Sequence, residues 1–359
     1  MKKRVLSFLT AAVMTTAMIL SGCSGAQTAA TTAAPAATET KAETTAAKTE
    51  APTTTAAAAE KKEIVVGFSQ VGAESDWRTA NTQSMKTTFT EANGYKLIFD
   101  DAQQKQENQL KAVRNFIQQD VDYIVIAPVT ETGWDTVLQE AKDAGIPVII
   151  VDRMINVSDD SLYTAWVGSN FLQEGYDAVA WLDDYLKKNN KADSDINIVT
   201  LQGTIGSSAQ IGRTNGVEEK MKDHPKWKML ERQTGEFTQA KGQEVMESFL
   251  KTYKDINVVI AENDNMAFGA IDAIKAAGKT CGPKGDITII SFDAVAAAFD
   301  SMIAGDMNVS VECNPLHGPR VAEIIQKLEK GEKVDKIAYV KEGVFPADTA
   351  AAEKPKRQY

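Results

Sequence analysis

From Glu63 onward, short apolar runs rich in β-branched residues alternate with longer segments whose apolar positions recur every three or four residues. The most informative run is Ile146-Pro147-Val148-Ile149-Ile150-Val151, which stops at the adjacent acid and base Asp152-Arg153. A run with no polar alternation predicts a strand buried on both faces. Buried parallel strands belong to open α/β sheets, whose ligands sit outside the carboxyl ends of the strands, so Asp152 and Arg153 fall where binding or chemistry is expected. A carboxylate accepts hydrogen bonds and a guanidinium donates them in a planar fork, so the pair can hold neighbouring hydroxyls of one polyol. Taken alone, the pair fits an ordinary charged turn after a strand better than a site.

Other strands end the same way. The pattern predicts strands over 63–69, 95–101, 122–127 and 146–151, separated by helices over about 77–93, 105–119 and 132–144. The second of these helices carries Leu110, Val113, Phe116 and Ile117 on one face. Strands separated by helices of this length make a parallel, doubly wound sheet, because parallel neighbours need a crossover. After a crossing segment near Trp166 the pattern repeats, with strands over 197–202, 227–231, 257–262, 287–292 and 308–312 between helices. A helix over about 317–330 and a strand over 336–341 remain, one unit too many for the second set, so the chain is expected to cross back to the first. Ser69, Asp101 and Asp152-Arg153 end strands of one lobe, Asn263 and Asp293 those of the other; facing lobes bring them to one cleft. Trp77, flanked by Asp76 and Arg78, can cover the C–H face of a sugar ring there. The alternative for Trp77 is a place in the core.

Composition narrows the function. The 359 residues call for two lobes rather than one core, and 43% apolar content suits a globular fold. A net charge of −10 gives no electrostatic reason to bind nucleic acid. Cys23, Cys281 and Cys313 match no zinc spacing, only two histidines are present, and no Asp-x-Asp-x-Asp-Gly loop occurs, so no metal or cofactor is expected, although carboxylate-only metal sites stay open. A pairing of Cys281 with Cys313 stays open beside two separate thiols. Lys2, Lys3 and Arg4 precede an apolar run that ends Leu20-Ser21-Gly22-Cys23, which reads as a secretory signal over 1–22 and resembles a lipobox that makes Cys23 a lipid-modified first residue. From Ser24 to Glu60 there is no Ile, Leu, Val, Met or aromatic residue, and 26 of 37 positions are Ala or Thr. Residues 23–60 therefore form no core and are expected to act as a tether spanning on the order of 30–35 Å.

Several segments together resemble the ribose-binding type of sugar-binding proteins of bacterial ABC importers, the periplasmic-binding-protein type I family, and most of all its galactofuranose-binding members. They are Val66-Gly67-Phe68-Ser69-Gln70-Val71-Gly72, Asp76-Trp77-Arg78, Gln103 to Gln109, Asp152-Arg153, Leu201-Gln202-Gly203-Thr204, Lys241 to Phe249, and Asn263-Asp264. The resemblance implies two doubly wound parallel α/β lobes joined by a three-segment hinge, with crossovers near Trp166, Cys313 and Val340. Residues 61–166 with 313–340 would form the first lobe, and 167–312 with 341–359 the second. It implies sugar contacts at Trp77, Arg78, Asp101, Gln104, Asp152, Arg153, Arg213, Phe237, Asn263, Asp293 and Glu312, with Glu74 as a further candidate. The chain departs from the family's pattern at Ala102, Glu236, Asn265 and Ala294, which leaves the sugar open. The implied function is capture of a monosaccharide, galactofuranose or galactose or a related aldose, and delivery to an ABC permease. The implied protein is a monomer outside the cytoplasmic membrane, held there by lipid alone.

Three rivals differ in the sequence features they need. An enzyme on this fold would carry a Gly-x-Ser-x-Gly elbow or a phosphate-binding glycine loop, and neither is present. Arginines interleaved with the acids also hold carboxyl pKa values down, the reverse of what a glycosidase acid needs. A repressor would need an N-terminal helix-turn-helix where this chain has a signal and low complexity. A sugar sensor that presents its closed form to a chemotaxis or kinase receptor uses the same features and stays open.

Overall fold

The computed structural model describes residues 63–359; the signal segment, Cys23 and the Ala/Thr-rich stretch lie outside the described residues. The first half runs β1 (Ile64–Gln70), α1 (Asp76–Thr88), β2 (Tyr95–Asp101), α2 (Gln106–Gln118), β3 (Tyr123–Ile126), α3 (Asp135–Asp143), β4 (Val148–Val151) and β5 (Ala165–Gly168). The second runs α4 (Phe171–Lys188), β6 (Ile196–Gln202), α5 (Ser208–Met221), β7 (Trp227–Thr234), α6 (Gln239–Thr252), β8 (Val258–Ala261), α7 (Asp264–Ala276), β9 (Thr288–Asp293), α8 (Ala296–Ala304) and β10 (Val309–Glu312). The chain ends with α9 (His317–Glu329), β11 (Ile337–Tyr339), β12 (Val344–Pro346) and α10 (Ala350–Glu353).

These strands form two six-stranded sheets, ordered β11-β5-β4-β3-β1-β2 and β12-β10-β9-β8-β6-β7. Every pairing is parallel except that of β10 with β12. The fold is α/β with two doubly wound lobes, as expected. The unpolar runs explain it: in β4, Ile149 and Val151 feed one core cluster while Val148 and Ile150 feed another, so successive side chains fill opposite faces. In β8, Val259 and Ala261 serve one face and Val258 and Ile260 the other. A strand of four apolar residues is thus buried on both sides, and only its carboxyl end is free to carry polar groups.

One element end differs from the sequence reading for a physical cause. The first helix stops at Thr88 rather than near Asn93: Phe89 leaves helical geometry, its ring packs edge-on against Tyr95 with centroids 5.0 Å apart, and a separate 3-10 turn spans Glu91–Asn93. Trp166 belongs to a strand of the first sheet, and the chain leaves that sheet after Gly168. It returns between Glu312 and His317 and leaves again between Tyr339 and Val344. Across the cleft, the Glu131 N–H donates to the Gly206 carbonyl at 3.0 Å, the Met154 N–H to Ser208 Oγ at 2.8 Å and the Asp76 N–H to Asn265 Oδ1 at 3.0 Å. The lobes are closed on one another.

Candidate functional site

The loop after β1 delivers the first charged group. Ser75 caps α1 by accepting the Arg78 N–H at 3.1 Å, which sets Trp77 and Arg78 on the first turn of the helix. Arg78 is 3% exposed; its Nε pairs with Glu74 Oε1 at 3.0 Å, its Nη2 with Asp152 Oδ2 at 2.8 Å, and its Nη1 donates to Gln70 Oε1 at 3.3 Å. Asp152 follows β4 at φ 61°, a left-handed conformation that costs a non-glycine residue about 1–3 kcal/mol and persists only where its surroundings enforce it. Here the Asp152 N–H donates to the Val167 carbonyl at 3.0 Å, and the Asp152 carbonyl accepts Trp166 Nε1–H at 3.1 Å. Arg153 donates to the Val129 carbonyl at 3.0 Å and stands 3.8 Å from Glu74 and 4.0 Å from Asp152.

The second lobe builds its half from the corresponding elements. Arg213, on α5, pairs through Nε with Glu174 Oε2 at 2.7 Å and through Nη2 with Asp293 Oδ1 at 3.3 Å, and donates to the Glu262 carbonyl. Asp293, the last residue of β9, is held at φ 108°. Asn263 caps α7, accepting the Met266 N–H at 2.9 Å, and its Nδ2 donates to the Phe237 carbonyl at 3.0 Å. That bond helps fix Glu236 and Phe237 at φ 56° and 62°. The Phe237 ring then lies on Gly203, where a Cβ would come within 1.9 Å of it, so only glycine fits.

Between the halves is a small cavity lined by Glu74, Ser75, Trp77, Arg78, Asp152, Arg153, Phe171, Ala209, Arg213, Phe237, Asn263, Asp293 and Cys313. Apolar and aromatic walls with a few convergent polar groups are what a small-molecule site presents. Each arginine lies over an aromatic wall: Arg78 is 4.6 Å from the Trp77 ring, Arg153 is 5.1 Å from Phe237 and Arg213 is 5.4 Å from Phe171. Stacking fixes the guanidinium planes and leaves their N–H edges to point at a ligand. Glu74 Oε2 is buried without a hydrogen-bond partner, an acceptor of the kind a ligand hydroxyl satisfies, whereas Asp152 Oδ2 is already held by Arg78. Burial opposes the charge of Arg78, yet Asp152 and Glu74 outweigh it and raise its pKa. Arg153 is held down at about 10 by burial and by the neighbouring charge of Arg78, so both remain cationic at neutral pH.

Eight of the eleven sequence-predicted contacts therefore line one cavity: Trp77, Arg78, Asp152, Arg153, Arg213, Phe237, Asn263 and Asp293. Trp77 serves the core as well, 3% exposed with its Nε1–H on the Cys313 carbonyl at 2.6 Å. Three lie elsewhere. Asp101 is exposed at the end of edge strand β2, where its Oδ1 accepts the Gln103 N–H at 2.8 Å within its own turn. Gln104, at φ 59°, donates its N–H to the Val71 carbonyl at 2.7 Å and packs against Gly72, bracing the loop that holds Glu74 from behind. Glu312 is occupied by Arg357 at 2.7 Å, the Tyr359 hydroxyl at 2.9 Å and the Gly343 N–H at 3.1 Å. The reading missed Ser75, Phe171, Ala209 and Cys313, which enter from a helix cap, helix starts and a crossing segment and share no strand-end signal. Cys281 and Cys313 are buried, separate thiols.

The sequence matches the family model described as "Periplasmic binding protein domain" over residues 66–333. It is 44% identical over 299 residues to the galactofuranose-binding protein YtfQ of Escherichia coli, covering 82% of this chain and 92% of that one. A Mycobacterium smegmatis protein in complex with β-D-fucofuranose superimposes with a TM-score of 0.78 at 44% identity, covering 82% of this chain and 95% of that one. The binding component of an arabinose ABC transporter from Shewanella sp. ANA-3, bound to α- and β-L-arabinofuranose, gives 0.77 at 47% identity with coverage of 82% and 95%. Among the described residues no helix is long and apolar enough to cross a membrane. A cavity between two doubly wound lobes is what a chain built to enclose a solute requires, and by its family model and its relatives this one is a substrate-binding member, not an enzyme, of the periplasmic binding protein family.

Proposed function

We propose that this protein is the extracytoplasmic solute-binding component of an ABC sugar importer, that it encloses a neutral aldose in its furanose form, galactofuranose first, and that it hands the sugar to a permease. The carrying observation is the cavity itself. Three arginines face the acids Glu74, Asp152 and Asp293, one acid oxygen, Glu74 Oε2, is left as an acceptor, and aromatic walls offer faces to the C–H groups of a sugar. A neutral polyol uses all of these, whereas an acidic or phosphorylated sugar meets no surplus positive charge. The furanoses named for three similar proteins support the ring form. Contacts from both lobes make a ligand favour the closed form, the only way it can drive closure. In this reading Cys23 carries the lipid anchor, the eight lining residues hold the sugar, and the protein acts as a monomer.

A thermal-shift screen over free monosaccharides, followed by calorimetry, tests it. A ligand at a hundred times its Kd adds about 2.7 kcal/mol of stability. Galactose, arabinose or fucose should raise the melting temperature, with affinity tracking the furanose fraction of each sugar; a response to amino acids or sugar phosphates alone overturns the reading.

A further inference from the structure

The three crossings between the lobes meet behind the sugar cavity. The first supplies Ser169 and leads into α4 with Glu174, the second supplies Cys313 and the third Glu342. One carboxylate oxygen of each glutamate and the cysteine sulfur all lie within 4.8 Å of one another. Glu342 Oε1 accepts Ser169 Oγ and the Asn314 N–H, each at 2.6 Å, and Ser169 Oγ is 3.2 Å from the Cys313 sulfur. Glu174 is 3% exposed; Arg213 takes its Oε2, and its Oε1 is buried without a partner.

The charge around this cluster is unbalanced. Arg213 is shared between Glu174 and Asp293, Arg357 is taken by Glu312, and among the described residues Glu342 has no cationic partner. A separate pocket, lined by Glu174, Asp177, Glu312, Glu342 and the amides Asn170 and Gln173 among others, leads to the two glutamates and gives a polar way in.

We propose that this hinge cluster is a metal site for a thiolate-accepting divalent ion of the zinc type, with Glu174, Glu342 and the Cys313 sulfur as ligands. Two carboxylates and one sulfur are a three-ligand set that leaves a fourth position toward the cavity for water. Sulfur among the donors disfavours magnesium and calcium. Binding replaces the thiol proton and any proton held by the two carboxyls: the S–H and O–H bonds break, each donor atom keeps its electron pair and donates it to the metal, and the protons leave to solvent. Arg213 holds the Glu174 carboxylate in place in the manner of an outer-shell partner. The bound ion would tie α4 to the second and third crossings.

The test uses the whole chain stripped with a chelator, titrated with zinc by calorimetry and with cobalt(II) by absorption spectroscopy. One zinc per chain is expected, together with a sulfur-to-cobalt charge-transfer band. Cys313→Ser should abolish the band, and Glu342→Gln, whose side chain does not line the sugar cavity, should weaken zinc at least tenfold. Absence of zinc binding, a cobalt spectrum without the band in the unsubstituted chain, or a zinc affinity in either variant equal to that of the unsubstituted chain overturns the proposal. So does a stability that responds to pH but not to zinc, which would mean that protons alone neutralise the cluster. None of these outcomes depends on which sugar the protein binds.

Discussion

The two lobes solve the same problem with the same topology and different charge. Asp152 just after β4 and Asp293 at the end of β9 occupy equivalent points in the two sheets, both at positive φ. Each is met by an arginine from the helix after the first strand of its lobe, Arg78 on α1 and Arg213 on α5. In the first lobe a second base, Arg153, and Glu74 join the pair, so four charges share the load. In the second, one arginine stands between two buried acids, Glu174 and Asp293. The first network is redundant; the second hangs on a single side chain.

The largest expected effect follows from that difference. Arg213→Met leaves two buried acids with no cation and should abolish sugar binding while lowering stability by about 3–5 kcal/mol. Arg153→Met should also impair binding but cost only about 1–3 kcal/mol, because Arg78 still neutralises Asp152 and Glu74. Denaturant melts of the two variants check this, and equal losses of stability break the comparison.

The lobes should also differ in their response to pH. In the first, His317 on α9 is fully buried against Asn81, and burial lowers its pKa to about 4. The unfolded chain then binds the extra proton between about pH 4 and its ordinary value of 6.5, so this histidine's contribution is lost as pH falls through that window. In the second, burial raises Glu262 from 4.5 to about 7, so the folded state holds the extra proton and stability is lost as pH rises through that window. Each amounts to about 3 kcal/mol at most and the two oppose one another. Stability measured from pH 4.5 to 7 should decline more steeply with rising pH in His317→Asn and climb in Glu262→Gln; parallel profiles for the two variants would show that the assignment to lobes is wrong.

Smaller effects come from the rim. Asn265 on α7 accepts the Asp76 N–H at 3.0 Å and places its Nδ2 3.3 Å from Asp76 Oδ2, a two-bond clasp across the mouth of the cleft. Asn265→Asp sets two carboxylates against each other there. It should weaken sugar binding about five- to tenfold, some 1–1.4 kcal/mol, with a larger loss at low salt. Asp101→Asn, on the edge strand, should leave affinity within about twofold by calorimetry. A larger change would bring the edge of the first sheet into the site.

The sequence disclosed much of the fold because strands such as Val148–Val151 and Val258–Ala261 are runs with no polar member, the pattern of a covered parallel strand. It concealed β5, a short strand bounded by the small residues Ala165 and Gly168, and β12, three residues ending in Pro346. The site was legible where a polar residue closes an apolar run, as at Asp152, Asn263 and Asp293. Phe171 and Cys313 carry no such mark, because their place is set by where the crossings bring the lobes together. Asp101 does close an apolar run and still lies outside the cavity, since its strand is at the sheet's edge rather than opposite the cleft.

The interleaved connectivity has a consequence for how the molecule comes apart and together. The first sheet is completed by β11, which follows the whole of the second sheet's parallel portion, and β12 then closes the second sheet in turn. No single cut of the backbone releases either lobe as a continuous piece with its sheet intact. Nor can the first sheet finish assembling until segments from distant parts of the chain have met, a demand that slows folding because such contacts require long loops to close. A nick within the second lobe would thus leave two fragments clasped by shared sheets, and a lesion at any one crossing would be felt on both sides of the cleft.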